Sequence, residues 1–267
     1  ALVRALVKLG ERHGAQFLWN ADVKRITSQA NRITGIRLAD GKQLQADVVI
    51  ANADPGYVIS NLLDSPAKRA DAISRKQYSM GLFVWYFSTS CKYDDVPHHT
   101  ILFGNTYREV LQKIFNTREL PDDLSIYLHR PSATDSNYAP NGHDSFYALV
   151  PVPNLQAAID WPQTEAAFKA LLKSELEKRI LPGLSEVVVD EFCVTPKYFE
   201  QQLLSPWGSG FSITPTLMQS AGFRFPNRSP DIEGLFFVGA GTHPGAGVPG
   251  VVTSAKVVER LMFGGVQ

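Results

Sequence analysis

The hydrophobic pattern at the start of the chain predicts an α/β arrangement. Leu2, Leu6 and Leu9 recur at helical spacing, so an amphipathic helix is expected up to Gly14. Its opening residues carry no cap and no initiator Met, and we expect the chain to come from a longer protein. Short extended runs follow at residues 16–19, 23–28, 33–38 and 44–51, with a tight Asp40-Gly41 turn between the last two.

The run at residues 47–51 is largely apolar and predicts a buried strand. Pro55, a few residues later, suits the first turn of a helix that is expected to reach about Leu63. A buried strand that leads into a helix is typical of an α/β domain.

Beyond Pro66 the pattern is that of an antiparallel sheet with helices. A strong amphipathic helix is predicted at residues 163–180, since apolar side chains recur on one face and Lys and Glu on the other. A second helix is predicted at 107–115, and strands are predicted at 82–87, 100–103, 125–129, 145–150 and 187–194. This central region therefore predicts an α+β unit.

The tail returns to α/β character, with a short strand at 235–238, a glycine-rich stretch at 239–250 and a helix at 251–262. Glycines at a strand-to-helix turn let backbone N–H groups approach an anion, and the helix N-terminus adds partial positive charge. Gly245, Gly247 and Gly250 satisfy G-x-G-x-x-G, but that motif needs a second strand with an acid about 20 residues further on, which the sequence lacks. A plain corner that packs the last helix remains an alternative.

Composition narrows the possible functions. Basic and acidic residues balance at 26 each without long charged blocks, which argues against nucleic acid as a partner. The two widely spaced cysteines are typical of free thiols in a reducing compartment, and no apolar run is long enough to cross a bilayer. A cytoplasmic location is expected.

The string VGAGTHPGAGVPGV at residues 238–251 resembles the C-terminal FAD motif of the phytoene desaturase family, within the flavin-containing amine oxidase superfamily. The resemblance continues through residues 208–228 and 21–54, and so covers essentially the whole chain. It implies α/β plus α+β architecture: part of a Rossmann-like, amine-oxidase-type FAD/NAD(P)-binding domain with an inserted antiparallel-sheet substrate domain. The implied boundaries are 1–63 and 231–267 for the FAD domain and 64–230 for the substrate domain. The resemblance also implies that the N-terminal half, which binds the ADP of FAD in the family, is not included in this chain.

The resemblance also implies a set of FAD-binding positions. Two lie in the first segment, at the adenine and beside the dinucleotide, and the rest lie in the glycine-rich turn and at the start of the last helix. These positions are Val23, Ala51, Gly239, Gly241, Thr242, Gly250 and Val251. A helix N-terminus facing the flavin pyrimidine would stabilise the negative charge of the reduced ring.

The activity implied is removal of two hydrogens from adjacent carbons of a long polyene such as phytoene, with hydride transfer to flavin N5. The substrate dissolves in lipid, so a peripheral membrane association is expected, while quinone or oxygen could reoxidise the flavin. His243 is a candidate proton acceptor or a residue that shapes the loop, and Trp207 and Phe211 line either a substrate tunnel or the core.

Several alternatives stay open. The aromatic strand at 82–87 could line the same tunnel or belong to the core. His98 and His99 suggest no metal site, because neighbours on a strand point apart and no third ligand is near in sequence. The other functions are a carotene isomerase, a diapocarotenoid desaturase, an amine or porphyrinogen oxidase, or an inactive fragment.

Overall fold

The fold is described from a computed structural model, in which residues 2–63, 73 and 75–264 can be described. The strands are β1 Val23–Gln29, β2 Arg32–Leu38, β3 Gln43–Gln45, β4 Val49–Ala51, β5 Gly81–Thr89, β6 His99–Leu102, β7 Ile126–His129, β8 Asp144–Val152, β9 Val188–Val194 and β10 Leu235–Phe237. The helices are α1 Leu2–Arg12, α2 Pro55–Tyr57, α3 Tyr107–Gln112, α4 Trp161–Arg179, α5 Leu184–Val187, α6 Pro196–Gln201 and α7 Val248–Phe263. One turn of π-helix extends α2 over Val58–Leu62, and another extends α3 over Lys113–Thr117.

An antiparallel five-stranded sheet in the order β6-β7-β8-β5-β9 forms the centre of the molecule. Along β8 buried and half-buried side chains alternate, as a strand with one covered face requires. Helix α4 covers that face with Phe168, Leu172 and Leu176, and Phe168 meets Phe83 of β5 edge-on at 5.0 Å between ring centroids. The main apolar core therefore lies between α4 and the sheet.

A second unit combines a three-stranded sheet, β1-β2-β3, with a parallel pair of β4 and β10. Phe237 of β10 pairs with Ala51 of β4, so segments nearly two hundred residues apart in sequence meet side by side. Ile26, Ile33 and Leu235 pack between these two sheets in a small core of their own. The pairing agrees with a unit built from both ends of the chain, while the predicted domain boundaries stay predictions.

Most predicted elements are confirmed, but several differ in bounds or geometry. Residues 16–19 form no strand, and residues 44–51 divide into β3 and β4, which belong to different sheets. The helix after Pro55 changes to π geometry, and α7 begins at Val248 rather than Val251. Proline is accepted in the first turn of a helix because an N–H there would have no partner within the helix. Pro249 therefore lies inside the first turn of α7, and the helix does not have to begin after it.

Helix α1 shows the predicted amphipathic stripe, but Leu2, Leu6 and Leu9 are all exposed. Among the described helices, none has both the length and the apolar character needed to cross a membrane.

Candidate functional site

A cleft opens where the parallel strands β4 and β10 end. Asn52, Ala53 and Asp54 after β4 line one wall, and Val238 and Gly241 after β10 line another; the cavity measures about 190 Å³. Clefts at the carboxyl ends of parallel strands are the usual ligand sites of open α/β sheets, because loops rather than strands form their walls. This cleft is the first part of the candidate site.

The glycine turn, residues 239–250, connects β10 to α7. Gly239 has φ +105°, in the region that favours glycine, and its N–H donates to Ser254 Oγ at 2.9 Å. Gly241 lies so close to the wall that a Cβ there would meet Pro55 Cδ at 2.5 Å. The fully buried Thr242 turns back and donates its hydroxyl to the Gly239 carbonyl at 3.1 Å. Contacts within the protein therefore define the shape of the turn.

Two buried polar side chains hold the outer side of this turn. Arg224 donates Nε to the Thr242 carbonyl at 3.1 Å and Nη2 to the Ala240 carbonyl at 2.7 Å. Asn227 donates Nδ2 to the carbonyls of Phe237 at 3.2 Å and His243 at 3.0 Å. Burial lowers the pKa of Arg224, opposed by the charge of Asp54. These contacts use backbone acceptors that would otherwise be left unpaired inside the fold.

Helix α7 begins directly after the turn, with Gly247 at its N-cap and no side chain capping it. The Val251 N–H donates to the Gly247 carbonyl at 2.8 Å, so the unpaired donors of the first turn belong to earlier residues such as Val248 and Gly250. A Cβ at Gly250 would meet the Gly245 carbonyl oxygen at 2.7 Å, and this close approach requires glycine. Aligned first-turn N–H groups favour an anion or a developing negative charge.

Asp54 is a partly buried carboxyl on the wall of the cleft. Its Oδ1 accepts the Gly56 N–H at 2.8 Å, and its Oδ2 accepts the Ser212 hydroxyl. Burial raises the pKa of Asp54, and the hydrogen bonds from Ser212 and Gly56 partly offset the effect. Tyr78 lies nearby, and burial raises the pKa of its phenol as well. Asp54 thereby joins α2 to the segment that carries Ser212.

A larger cavity of about 580 Å³ lies on the other side of the glycine turn. Pro244, Gly245 and Ala246 of the turn form one wall, and Phe115 and Phe211 are among the apolar side chains that line the rest. The structure thus brings Phe211 next to the turn, as the tunnel interpretation requires.

Trp207 lies elsewhere. It lines a separate cleft of about 350 Å³ with Tyr57 and Glu200 and has a positive φ of 59°. Phe83, Trp85 and Phe87 point into the core under α4, whereas Tyr86 points to the opposite face of the sheet. Of the aromatic candidates for a substrate tunnel, Phe211 is the one that lines the cavity beside the glycine turn.

His243 is exposed and its carbonyl is held by Asn227, while a cis peptide bond joins it to Pro244. The next three residues, rather than the imidazole itself, are among those that line the large cavity. Ala51 ends β4 beside the cleft, whereas Val23 begins β1 in the three-stranded sheet and pairs with Leu38. The predicted cofactor positions therefore divide between the cleft, the turn and this separate sheet.

The expectation that His98 and His99 point apart is wrong. Only His99 lies within β6, and the two ring centroids are 4.3 Å apart. His129 of β7 pairs with His99 across the strands, so the three imidazoles converge. The sequence gives no local signal for the third histidine, His129, because it is far from His98 and His99 along the chain.

Sequence reasoning also passed over Asp54, Arg224, Asn227 and Ser254 as site residues. Their types are polar and their sequence neighbourhoods are ordinary, so pattern alone does not mark them. Asp54, Arg224 and Asn227 do fall within the stretches that resemble the desaturases, and that was the available signal.

Comparison with known proteins assigns the family. The model of the family described as flavin containing amine oxidoreductase matches residues 1–258. The chain therefore belongs to the flavin-containing amine oxidoreductase family. This membership supports FAD as the cofactor, as the sequence predicts.

Curated relatives include the neurosporene-forming phytoene desaturase of Rhodobacter capsulatus, at 43% identity over 98% of this chain and 52% of that protein. The lycopene-forming phytoene desaturase of Pseudescherichia vulneris is 45% identical over 98% of this chain and 54% of the relative. These matches confirm the predicted resemblance to the phytoene desaturase family. The chain spans about half the length of the curated relatives it matches.

Solved structures agree on the fold. An oxidoreductase from Methanosarcina mazei superposes with a TM-score of 0.65 at 17% identity, over 97% of this chain and 53% of that one. Putrescine oxidase gives a TM-score of 0.59 at 13% identity, over 95% of this chain and 52% of the other. At such identities the likeness concerns architecture alone, and it confirms the predicted amine-oxidase-type fold.

Proposed function

We propose that this chain forms the C-terminal portion of an FAD-dependent carotenoid desaturase, which removes two hydrogens from adjacent carbons of a long polyene such as phytoene. The observation that carries the proposal is the cavity of about 580 Å³ between the glycine turn and Phe211. A long apolar substrate needs an apolar channel next to the redox cofactor. The names of the two relatives described above, phytoene desaturases at 43% and 45% identity, favour this substrate class over an amine.

The residues present fit a flavin at the glycine turn. The cleft at the ends of β4 and β10 and the uncapped N-terminus of the 16-residue helix α7 supply the two features that bind anionic or electron-rich groups. A Cβ at Gly247 would meet nothing within 4 Å, so the N-cap faces open space. We assign cofactor contact to Ala51, Gly239, Gly241, Thr242, Gly250 and Val251 along this path, and to Val23 at the adenine end.

A bound flavin supplies the acceptor for the hydride that leaves the polyene. The chain itself has three tasks. The first-turn N–H groups of α7 stabilise negative charge, the clamp of Arg224 on two turn carbonyls keeps Gly245 and Ala246 in place, and Phe211 excludes water from the apolar cavity. His243, whose backbone carbonyl is held by Asn227, is assigned as the acceptor of the accompanying proton; because its exposed imidazole lies outside the cavity lining, the proton would reach it through a water molecule.

The test uses the holoenzyme supplied with phytoene, with products followed by chromatography and flavin content read from the visible spectrum. Phe211→Asp puts a charge into the apolar cavity and is expected to reduce kcat/KM at least about 100-fold, while the flavin band is retained. Trp207→Asp, in the separate cleft, is the matched control and should reduce activity less than about threefold.

The reverse ranking of the two variants would reject the assignment of the cavity. A colourless protein that stays without flavin on addition of FAD would instead support the inactive-fragment alternative. Conversion of a cis polyene to its trans isomer without loss of hydrogen would favour a carotene isomerase.

A peripheral membrane contact completes the proposal. Leu217 and Met218 are 86% and 68% exposed, and Ser220 and Ala221 just after them line the large cavity. Exposed apolar side chains at the mouth of a cavity suit extraction of a substrate from lipid. Met218→Lys should reduce co-sedimentation with phosphatidylcholine vesicles. The control variant Tyr138→Lys, at an exposed residue between strands β7 and β8, should not.

A further inference from the structure

Three imidazoles converge at the β6–β7 edge of the five-stranded sheet. His98 precedes β6, His99 begins it, and His129 ends β7 opposite His99. One nitrogen from each ring lies within 4.8 Å of the other two. Nε2 of His98 and Nε2 of His129 face each other at 2.8 Å. Within the described residues this is the one such group of three potential ligands.

We propose that His98, His99 and His129 bind a divalent transition-metal ion of the zinc class. Neutral imidazole is a preferred ligand of such ions, and three histidines with an open fourth position form a well-known coordination pattern. Zn–N distances of about 2.0–2.1 Å place ligand nitrogens about 3.3 Å apart in a tetrahedron. The site needs only side-chain adjustment to reach this geometry.

The adjustment that each ring needs is small. The Nε2 pair must open by about 0.5 Å from 2.8 Å. Nδ1 of His129 is buried without a hydrogen-bond partner among the described residues, so hydrogen bonding holds this ring only through His98. His99 is exposed and can rotate inward by the remaining 1.5 Å or so.

Outer partners already orient two of the ligands. His98 Nδ1 contacts the Thr134 hydroxyl, and His99 Nδ1 contacts the Tyr127 hydroxyl at 2.7 Å. Metal-binding histidines usually engage their second nitrogen in this way, which fixes the ring and leaves the first nitrogen for the metal. The site therefore combines three candidate metal ligands with two hydroxyl groups, of Thr134 and Tyr127, that orient two of them.

This site is separate from the glycine turn. Its residues lie at the start of the edge strand β6 and at the end of the neighbouring strand β7, while the turn follows β10 in the other unit. The cavities beside the turn include none of the three histidines. The proposal consequently stands or falls independently of the desaturase assignment.

The experiment titrates Zn²⁺ into the protein, freed of any polyhistidine tag, in competition with a chromogenic chelator. We expect about one equivalent bound per chain, and a Co²⁺ complex with the visible bands of tetrahedral coordination. His99→Gln and His129→Gln should each weaken binding at least about 100-fold, and Tyr127→Phe about 10- to 100-fold, because it removes an outer partner only. The exposed His13→Gln is the matched control and should leave binding unchanged.

His99 is exposed, so its variant stays folded even if the His129 variant does not, and circular dichroism checks both. Absence of stoichiometric Zn²⁺ binding to the parent protein would overturn the proposal. So would binding that survives in the His99 variant or that falls equally with His13→Gln.

Discussion

The sheet region and the glycine-turn region are held together by different forces. Between α4 and the five-stranded sheet, large apolar side chains such as Trp85, Trp161 and Leu172 are almost completely buried. At the turn, Arg224 and Asn227 bind backbone carbonyls, and Ser254 accepts the Gly239 N–H. Apolar packing contributes most of the free energy of folding, whereas directional hydrogen bonds hold the backbone in one conformation. We infer that the sheet region provides the stability and the turn region the geometry.

The largest expected effect is a loss of stability in the sheet region. Leu172→Ala leaves a cavity under a fully buried side chain and should lower the free energy of unfolding by about 2–5 kcal/mol. Urea denaturation measures it. Lys178→Ala, on the exposed side of the same helix, should change stability by less than about 0.5 kcal/mol. Equal losses for the two variants would show that α4 does not anchor the core.

The next effect concerns the clamp on the turn. Arg224→Met leaves the Thr242 and Ala240 carbonyls without their donors and should lower the free energy of unfolding by about 1–3 kcal/mol. It should also weaken flavin binding. Arg224→Lys, with one compact donor group, should recover part of both. The exposed Arg228→Met serves as control. Flavin content unchanged in Arg224→Met would separate the clamp from cofactor binding.

A smaller effect is expected from Gly250→Ala. The new methyl would lie 2.7 Å from the Gly245 carbonyl oxygen. It would therefore push the glycine turn away from the N-terminus of α7. FAD affinity should fall about tenfold, which corresponds to about 1.4 kcal/mol, and the urea midpoint should fall as well, because the methyl meets backbone that must shift. Gly222→Ala, where a Cβ would meet nothing within 4 Å, should leave both quantities unchanged. Fluorescence titration of FAD provides the measurement.

The smallest effect is a pH dependence at Asp54. Burial raises its folded-state pKa above the ordinary value of 3.8, so the protonated carboxyl is the form that the fold favours. Its contribution is complete below pH 3.8 and is lost as the pH rises through the folded pKa.

Asp54→Asn keeps a side-chain cap on α2 and cannot ionise. The variant's Tm relative to the parent should therefore increase as the pH rises above about 4. The exposed Asp190→Asn should show no such trend, and a flat difference for Asp54→Asn would contradict the ionisation argument.

Much of the secondary structure was predictable because it depends on local spacing. The alternation in β8, the apolar face of α4 and the strand-turn-helix around the glycines all follow from neighbouring residues. Residues 16–19 were predicted to form a strand because aromatic residues favour strands. In the structure these residues pair with no strand among the described residues, and Phe17 and Trp19 stack on each other.

The candidate site was only partly predictable. The positions of Gly241 and Gly250 followed from the family motif, and both lie where close backbone approach requires glycine. The separation of Trp207 from Phe211 did not follow, since they are four residues apart in sequence and yet line different cavities. A reversal of the chain at the positive φ of Trp207 and Gly208 divides them.

Most of the longer strands and helices, the glycine turn and the resemblance to the family could be read from the amino-acid order alone, because each is encoded in short-range spacing or in a contiguous motif. The fold was needed to show which distant residues meet: Arg224 with the turn, Ser212 with Asp54, and His129 with His98 and His99. Such contacts depend on how strands pair and segments cross, and the chain brings together positions whose sequence separation carries no local signal.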